Sequence, residues 1–95
     1  MIVYHKLSNR RFETHQATFK YDPFVKDEDN CGYLMEFVSD GCRYSIDFSD
    51  NHFVCDNYIE IDGKRYRYKE MKENPELIAA LIEQENLLSK IEALP

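Results

Sequence analysis

The residues of this chain best suited to chemistry are three cysteines and one histidine, Cys31, Cys42, Cys55 and His52, the last two in the spacing His52-x-x-Cys55. Together they could form a Cys₃His zinc site, or a thiolate nucleophile activated by an imidazole. The spacing prepares neither. No paired C-x₂-C knuckle is present, and the chain contains no Ser-His-Asp pattern, no phosphate-binding glycine loop and no HExxH segment. Asp27-x-Asp29-x-Cys31-Gly32 opens like a calcium loop. The fifth and twelfth ligand positions would then be Cys31 and Val38, which supply no oxygen side chain, so Asp27, Glu28 and Asp29 read as a solvated acidic loop. The expectation is a chain without catalytic residues, metal or cofactor.

A second constellation is basic and aromatic. Arg65, Arg67 and Lys69 alternate near Arg43, Tyr58, Tyr66 and Tyr68, a composition that can hold single-stranded nucleic acid through phosphate contacts and base stacking. A formal charge of −6, from 12 Lys and Arg against 18 Asp and Glu, opposes that use at long range.

The elements that must position these residues follow from turns and periodicity. Between residues 33 and 71 an apolar alternation of period two is broken at Asp40-Gly41 and Asp62-Gly63, and Asp-Gly favours the type I′ turn of a short hairpin. A two-residue turn at Asp40-Gly41 sets Ser39 opposite Cys42, Phe37 opposite Tyr44, Met35 opposite Ile46 and Tyr33 opposite Phe48. At Asp62-Gly63 it sets Ile59 opposite Tyr66 and Glu60 opposite Arg65, then Tyr58 opposite Arg67 and Asp56 opposite Lys69. These opposed charges give the basic strand a structural reason to exist, which weighs against nucleic acid. A four-residue loop over 49–52 would join the hairpins into one meander, pairing Phe48 with Phe53, Ile46 with Cys55 and Cys42 with Ile59. Cys42 and Cys55 would then lie buried as small hydrophobes.

Asn74-Pro75-Glu76 supplies a cap, a first-turn proline and a first-turn acid, so a helix is expected from about 75 to 93. On a helical wheel Leu77, Ala80, Leu81, Leu87, Leu88, Ile91 and Leu94 share one stripe, interrupted by Gln84, and this stripe is expected to face the sheet. Ile78 and Ile82 fall off it and would need a partner surface, such as a second copy in a homodimer or the N-terminal strand. Residues 2–7 and 11–21 read as an N-terminal strand pair, with the alternation of the second strand failing between Phe12 and Phe19.

The sequence therefore describes a single α+β domain over 1–95: an antiparallel meander at 33–71, an N-terminal strand pair and one C-terminal helix on one face. The longest apolar run, 77–82, is far short of a membrane span, and the first residues lack the pattern of a signal peptide, so a cytoplasmic protein with reduced thiols is expected. What remains for function is surface: Ile78 and Ile82 on the helix, and an acidic rim of Asp27, Glu28, Asp29, Asp47, Asp50 and Asp56 that would steer toward a basic protein. The functional expectation is a non-enzymatic regulatory protein that occupies a partner's surface. By analogy of size and charge alone, it would resemble the inhibitors of nucleic-acid-processing or defence complexes carried by phages. A single-strand binder using Arg43, Arg65, Arg67 and Lys69 is the alternative.

Overall fold

The computed structural model describes residues 1–23 and 31–92. In chain order the strands are β1 (Ile2–His5), β2 (Arg10–Glu13), β3 (Ala17–Asp22), β4 (Gly32–Ser39), β5 (Cys42–Phe48), β6 (Tyr58–Ile61) and β7 (Lys64–Tyr66). The helices α1 (Tyr68–Glu73) and α2 (Pro75–Glu92) follow. The fold is α+β, as expected, but the strands form two antiparallel sheets rather than one meander: β2-β1-β6-β7 and β3-β4-β5.

The two Asp-Gly turns behave as their chemistry requires. Asp40 and Gly41 take φ of 50° and 77°, and Asp62 and Gly63 take 52° and 78°, so both central residues are left-handed as a type I′ turn needs. The β4–β5 register is the one expected, with Tyr33 opposite Phe48, Met35 opposite Ile46, Phe37 opposite Tyr44 and Ser39 opposite Cys42. At the second turn Ile59 faces Tyr66 and Glu60 faces Arg65, again as expected.

The joining of the hairpins is corrected. β5 does not pair with β6; residues 49–57 carry the chain from the three-stranded sheet to the four-stranded one, where β6 pairs with β1 through Val3 and Ile59. β7 ends at Tyr66, so the expected pairs Tyr58 with Arg67 and Asp56 with Lys69 are absent from the ladder. Instead the Arg67 backbone N–H donates to Glu70 Oε2 at 2.8 Å, and a short helix starts at Tyr68.

The irregular stretch between Phe12 and Phe19 is where the chain changes sheets. Thr14, only 3% exposed, is the corner: its N–H donates to the Met1 carbonyl of β1's flank at 3.0 Å, and its hydroxyl donates to the Val38 carbonyl of β4 at 2.6 Å. The Ser39 hydroxyl donates to the Glu13 carbonyl at 2.7 Å, so both sheets are stitched at the same corner.

One hydrophobic core fills the space between these layers. Val3, Phe12, Ile59, Ile61 and Tyr66 come from the four-stranded sheet, Ala17, Met35, Phe37, Ile46 and Phe48 from the three-stranded sheet, and Met71, Ile78 and Ile82 from the helices. The sheets meet at Phe12, whose ring lies 5.3 Å from Phe37 and 4.5 Å from Tyr44.

The helix is present nearly as expected, with Asn74 Oδ1 accepting from the Leu77 N–H at 3.2 Å, but its phase is reversed. Ile78 is fully buried and Ile82 2% exposed, whereas Leu77, Leu87 and Leu88 stand 46%, 51% and 48% exposed. Ile78 and Ile82 are thus core residues and offer no surface to a partner. Of the stripe expected inside, Leu77, Leu87 and Leu88 are outside, while Leu81 is half-buried against the core.

Candidate functional site

The expected chemical constellation does not assemble. Cys31 and Cys42 are exposed and Cys55 is half-buried, which corrects the expectation that Cys42 and Cys55 lie buried as small hydrophobes. Cys42 opens β5 at the hairpin end, with no β6 beside it to cover it. The Cys55 thiol lies 3.7 Å from the His52 carbonyl, while the His52 ring packs on Phe53 at 3.9 Å between centroids. Cys31 lies 3.7 Å from the Pro23 carbonyl and shares a hydrogen bond with the Tyr21 phenol; that bond is the largest influence raising Tyr21 above its ordinary pKa. Among the described residues no group of three or more His, Cys, Asp and Glu side chains is placed to hold a metal ion.

The four basic residues are distributed rather than gathered. Arg43 belongs to β5 and borders an open groove of about 770 Å³ with Tyr44, His15, Asn86 and Lys90. Arg65 lies on β7, in the other sheet, Arg67 caps α1, and Lys69 is exposed on α1. Sequence reading missed Arg11, which reaches across from β2. Its guanidinium donates to Glu60 Oε2 at 2.8 Å and to the Tyr58 hydroxyl, and the Glu60 hydrogen bond is the chief cause raising its pKa. Arg65 lies 4.6 Å over the Tyr58 ring, and Tyr4 stacks on the same ring at 4.8 Å. Tyr58 is 5% exposed, so its face is occupied by neighbours before any base could stack on it. The pairing of Arg11 with Tyr58 and Glu60 was hidden because it depends on β1 lying between β2 and β6.

The acidic rim divides. Asp27, Glu28 and Asp29 lie outside the described residues. Asp47 is half-buried on β5, while Asp50 and Asp56 are exposed at the two ends of the 49–57 crossover. Asp56 lies 3.9 Å from Arg67.

That crossover is the most distinctive surface feature. It lacks regular structure, yet its backbone is held at many points. Asn51 Oδ1 accepts from the Phe53 N–H at 2.9 Å, Ser49 Oγ accepts from the Asn51 N–H at 3.2 Å, and the Asn51 carbonyl accepts from the N–H groups of Val54 and Cys55 at 2.9 and 2.8 Å. Asn57 fastens the far end: its amide donates to the Asp47 carbonyl at 3.0 Å and its Oδ1 accepts from the Lys6 N–H at 2.8 Å. Ser49, Val54 and Asn57 are buried anchors, whereas Phe53 stands 50% exposed between them. A half-exposed aromatic ring on a backbone already fixed loses little entropy on binding. Asp50 and Asp56, both exposed, lie three residues to either side of it in the chain.

No family model, no curated protein and no solved structure matches this chain.

Proposed function

We propose that this is a binding protein that acts by occupying a basic protein surface, with Phe53 as its apolar anchor and Asp50 and Asp56 as its charged flanks. The observation that carries the reading is the exposed Phe53 ring on the hydrogen-bonded 49–57 crossover. Aromatic anchors in preorganised settings supply a large share of interface energy, and flanking charge raises the rate and selectivity of encounter. A chain of net charge −6 is matched to a surface that otherwise receives nucleic acid, so occupation would inhibit such a machine. Three free thiols suit a cytoplasmic setting.

The experiment places a photo-crosslinking residue at position 53 and compares extracts of the source cells treated with wild type, Phe53→Ala and the pair Asp50→Asn with Asp56→Asn. One protein crosslinked at physiological salt, competed by wild type, competed at least about tenfold more weakly by Phe53→Ala and weakened by the Asp changes, is the expected result. No specific adduct, or equal competition by every variant, overturns the proposal.

The alternative, a single-strand binder using Arg43, Arg65, Arg67 and Lys69, draws support from Arg65, Arg67 and Lys69 standing exposed in succession along β7 and the start of α1. It requires a salt-dependent mobility shift with an oligonucleotide that Arg65→Gln and Arg67→Gln abolish.

A further inference from the structure

The helix α2 carries two apolar faces, and one of them faces away from the core. Ile78 and Ile82 define the inner side. On the outer side lie Leu77, Ala80, Gln84 and Leu87, separated by three, four and three residues, with Leu88 on its margin. That is the a/d spacing of a coiled-coil seam, and at about 100° per residue the stripe from Leu87 to Leu88 is about 100° wide. Leu77, Leu87 and Leu88 leave roughly half of their surface exposed. Surface leucines scattered singly are ordinary; here three of them, with Ala80, share one side of α2 over about one and a half heptads.

We propose that a second copy of this chain covers this seam, the two α2 helices packing antiparallel about a two-fold axis. This goes beyond the proposed partner surface at 49–57 and does not depend on it. Charge selects the occupant. Glu83 and Lys90 are seven residues apart, so they lie on one edge of the seam, next to Leu87. In an antiparallel pair with Gln84 layered on Leu87 of the partner subunit, Glu83 comes beside Lys90 of the partner subunit. The two-fold axis makes this contact twice, an arrangement one helix makes with its own copy. A parallel pair would instead set that edge against the apolar margin. Gln84, the polar break in the stripe, then has the role of a polar seam residue that fixes register.

The full chain is examined by sedimentation equilibrium over a range of concentrations, alongside Leu87→Asp, Glu83→Lys, Lys90→Glu and the double charge exchange, each checked by circular dichroism. Because Leu87 is exposed and its substitution leaves the core intact, the fold is retained and the mass is interpretable. The expected result is twice the chain mass of 11.4 kDa for wild type and a monomer for Leu87→Asp. Each single charge change weakens the dimer by about tenfold, and the double exchange restores it. A monomer at all concentrations up to about 100 μM, well above the dissociation constant of a useful dimer, overturns the proposal, whatever else the seam then binds. A dimer unaffected by Leu87→Asp also overturns it, and a double exchange that fails to restore association overturns the antiparallel pairing.

Discussion

Asn86 and Ala17 form a two-point pair across the fold: the Asn86 carboxamide oxygen accepts from the Ala17 N–H at 3.0 Å, and its amide donates to the Ala17 carbonyl at 2.7 Å. β3 is an edge strand of its sheet, and this side chain satisfies both groups that a further strand would have paired. The helix therefore covers a strand edge as well as contributing to the core. Nearby, Glu85 approaches His15 at 3.7 Å, continuing the polar character of that contact.

Replacing Asn86 with Leu leaves the Ala17 N–H and carbonyl without partners in a setting where Ala17 is 5% exposed. The expected loss is about 1–3 kcal/mol of unfolding free energy, from the desolvation of unpaired polar groups. Urea denaturation measures it. Asn86→Asp keeps the acceptor and loses the donor, so it should fall between Leu and wild type; an unchanged midpoint for Asn86→Leu would refute the role of this pair.

The same relationship explains why the helix phase could not be read from the sequence. Periodicity finds the more apolar stripe and assigns it to the core. In α2 the inner face is apolar at Ile78 and Ile82 but turns polar at Glu85, Asn86 and Ser89, because a helix lying on a strand edge must offer hydrogen-bonding groups. The β4–β5 register was legible because a two-residue turn fixes every pair after it. The 49–57 crossover was not, since its course depends on Ser49, Asn51 and Asn57 bonding backbone groups, and alternation carries no trace of such bonds. Of the proposed site, Asp50 and Asp56 are legible as part of an acidic rim, Asp50 in a loop and Asp56 in a strand opposite Lys69, a pairing that does not form. Phe53 was misplaced as a strand residue paired with Phe48.

The phase itself is testable on stability. Ile78→Ala removes buried methyl groups from a fully enclosed position and should cost about 2–5 kcal/mol in denaturant unfolding. Leu7→Ala, at a side chain 60% exposed in the β1–β2 turn, should stay within about 0.5 kcal/mol of wild type. Comparable losses at both positions would contradict the assignment of Ile78 to the core.

Thiol accessibility checks the correction at β5 and the crossover. Cys31 and Cys42 are exposed and Cys55 is half-buried, so a neutral disulfide reagent should modify Cys31 and Cys42 in the native protein and Cys55 more slowly. Peptide mapping after a brief exposure identifies the sites. Protection of Cys42 equal to that of a core residue would return it to the interior and refute the separation of the two sheets.

Tyr68 offers an alkaline signature. Its ring lies beside Tyr33 at 6.3 Å between centroids, and burial raises its phenol above the ordinary 10.0, with the carboxylate of Asp50 adding in the same direction. An acid whose pKa is higher in the folded state than in the unfolded state stays protonated longer when folded. Its contribution to stability is intact below about pH 10 and declines as the pH climbs through the folded value. Unfolding measured from neutral pH upward should therefore show stability falling above about pH 10, in a window that the raised Tyr21 phenol shares. Tyr68→Phe has no proton to lose at this position and should show a shallower decline. Tyrosinate absorbance, followed in the native protein, should lose a component that titrates above the ordinary 10.0 in the same variant. An alkaline decline identical in Tyr68→Phe and wild type would show that the Tyr68 phenol ionises as freely in the folded chain as in the unfolded one.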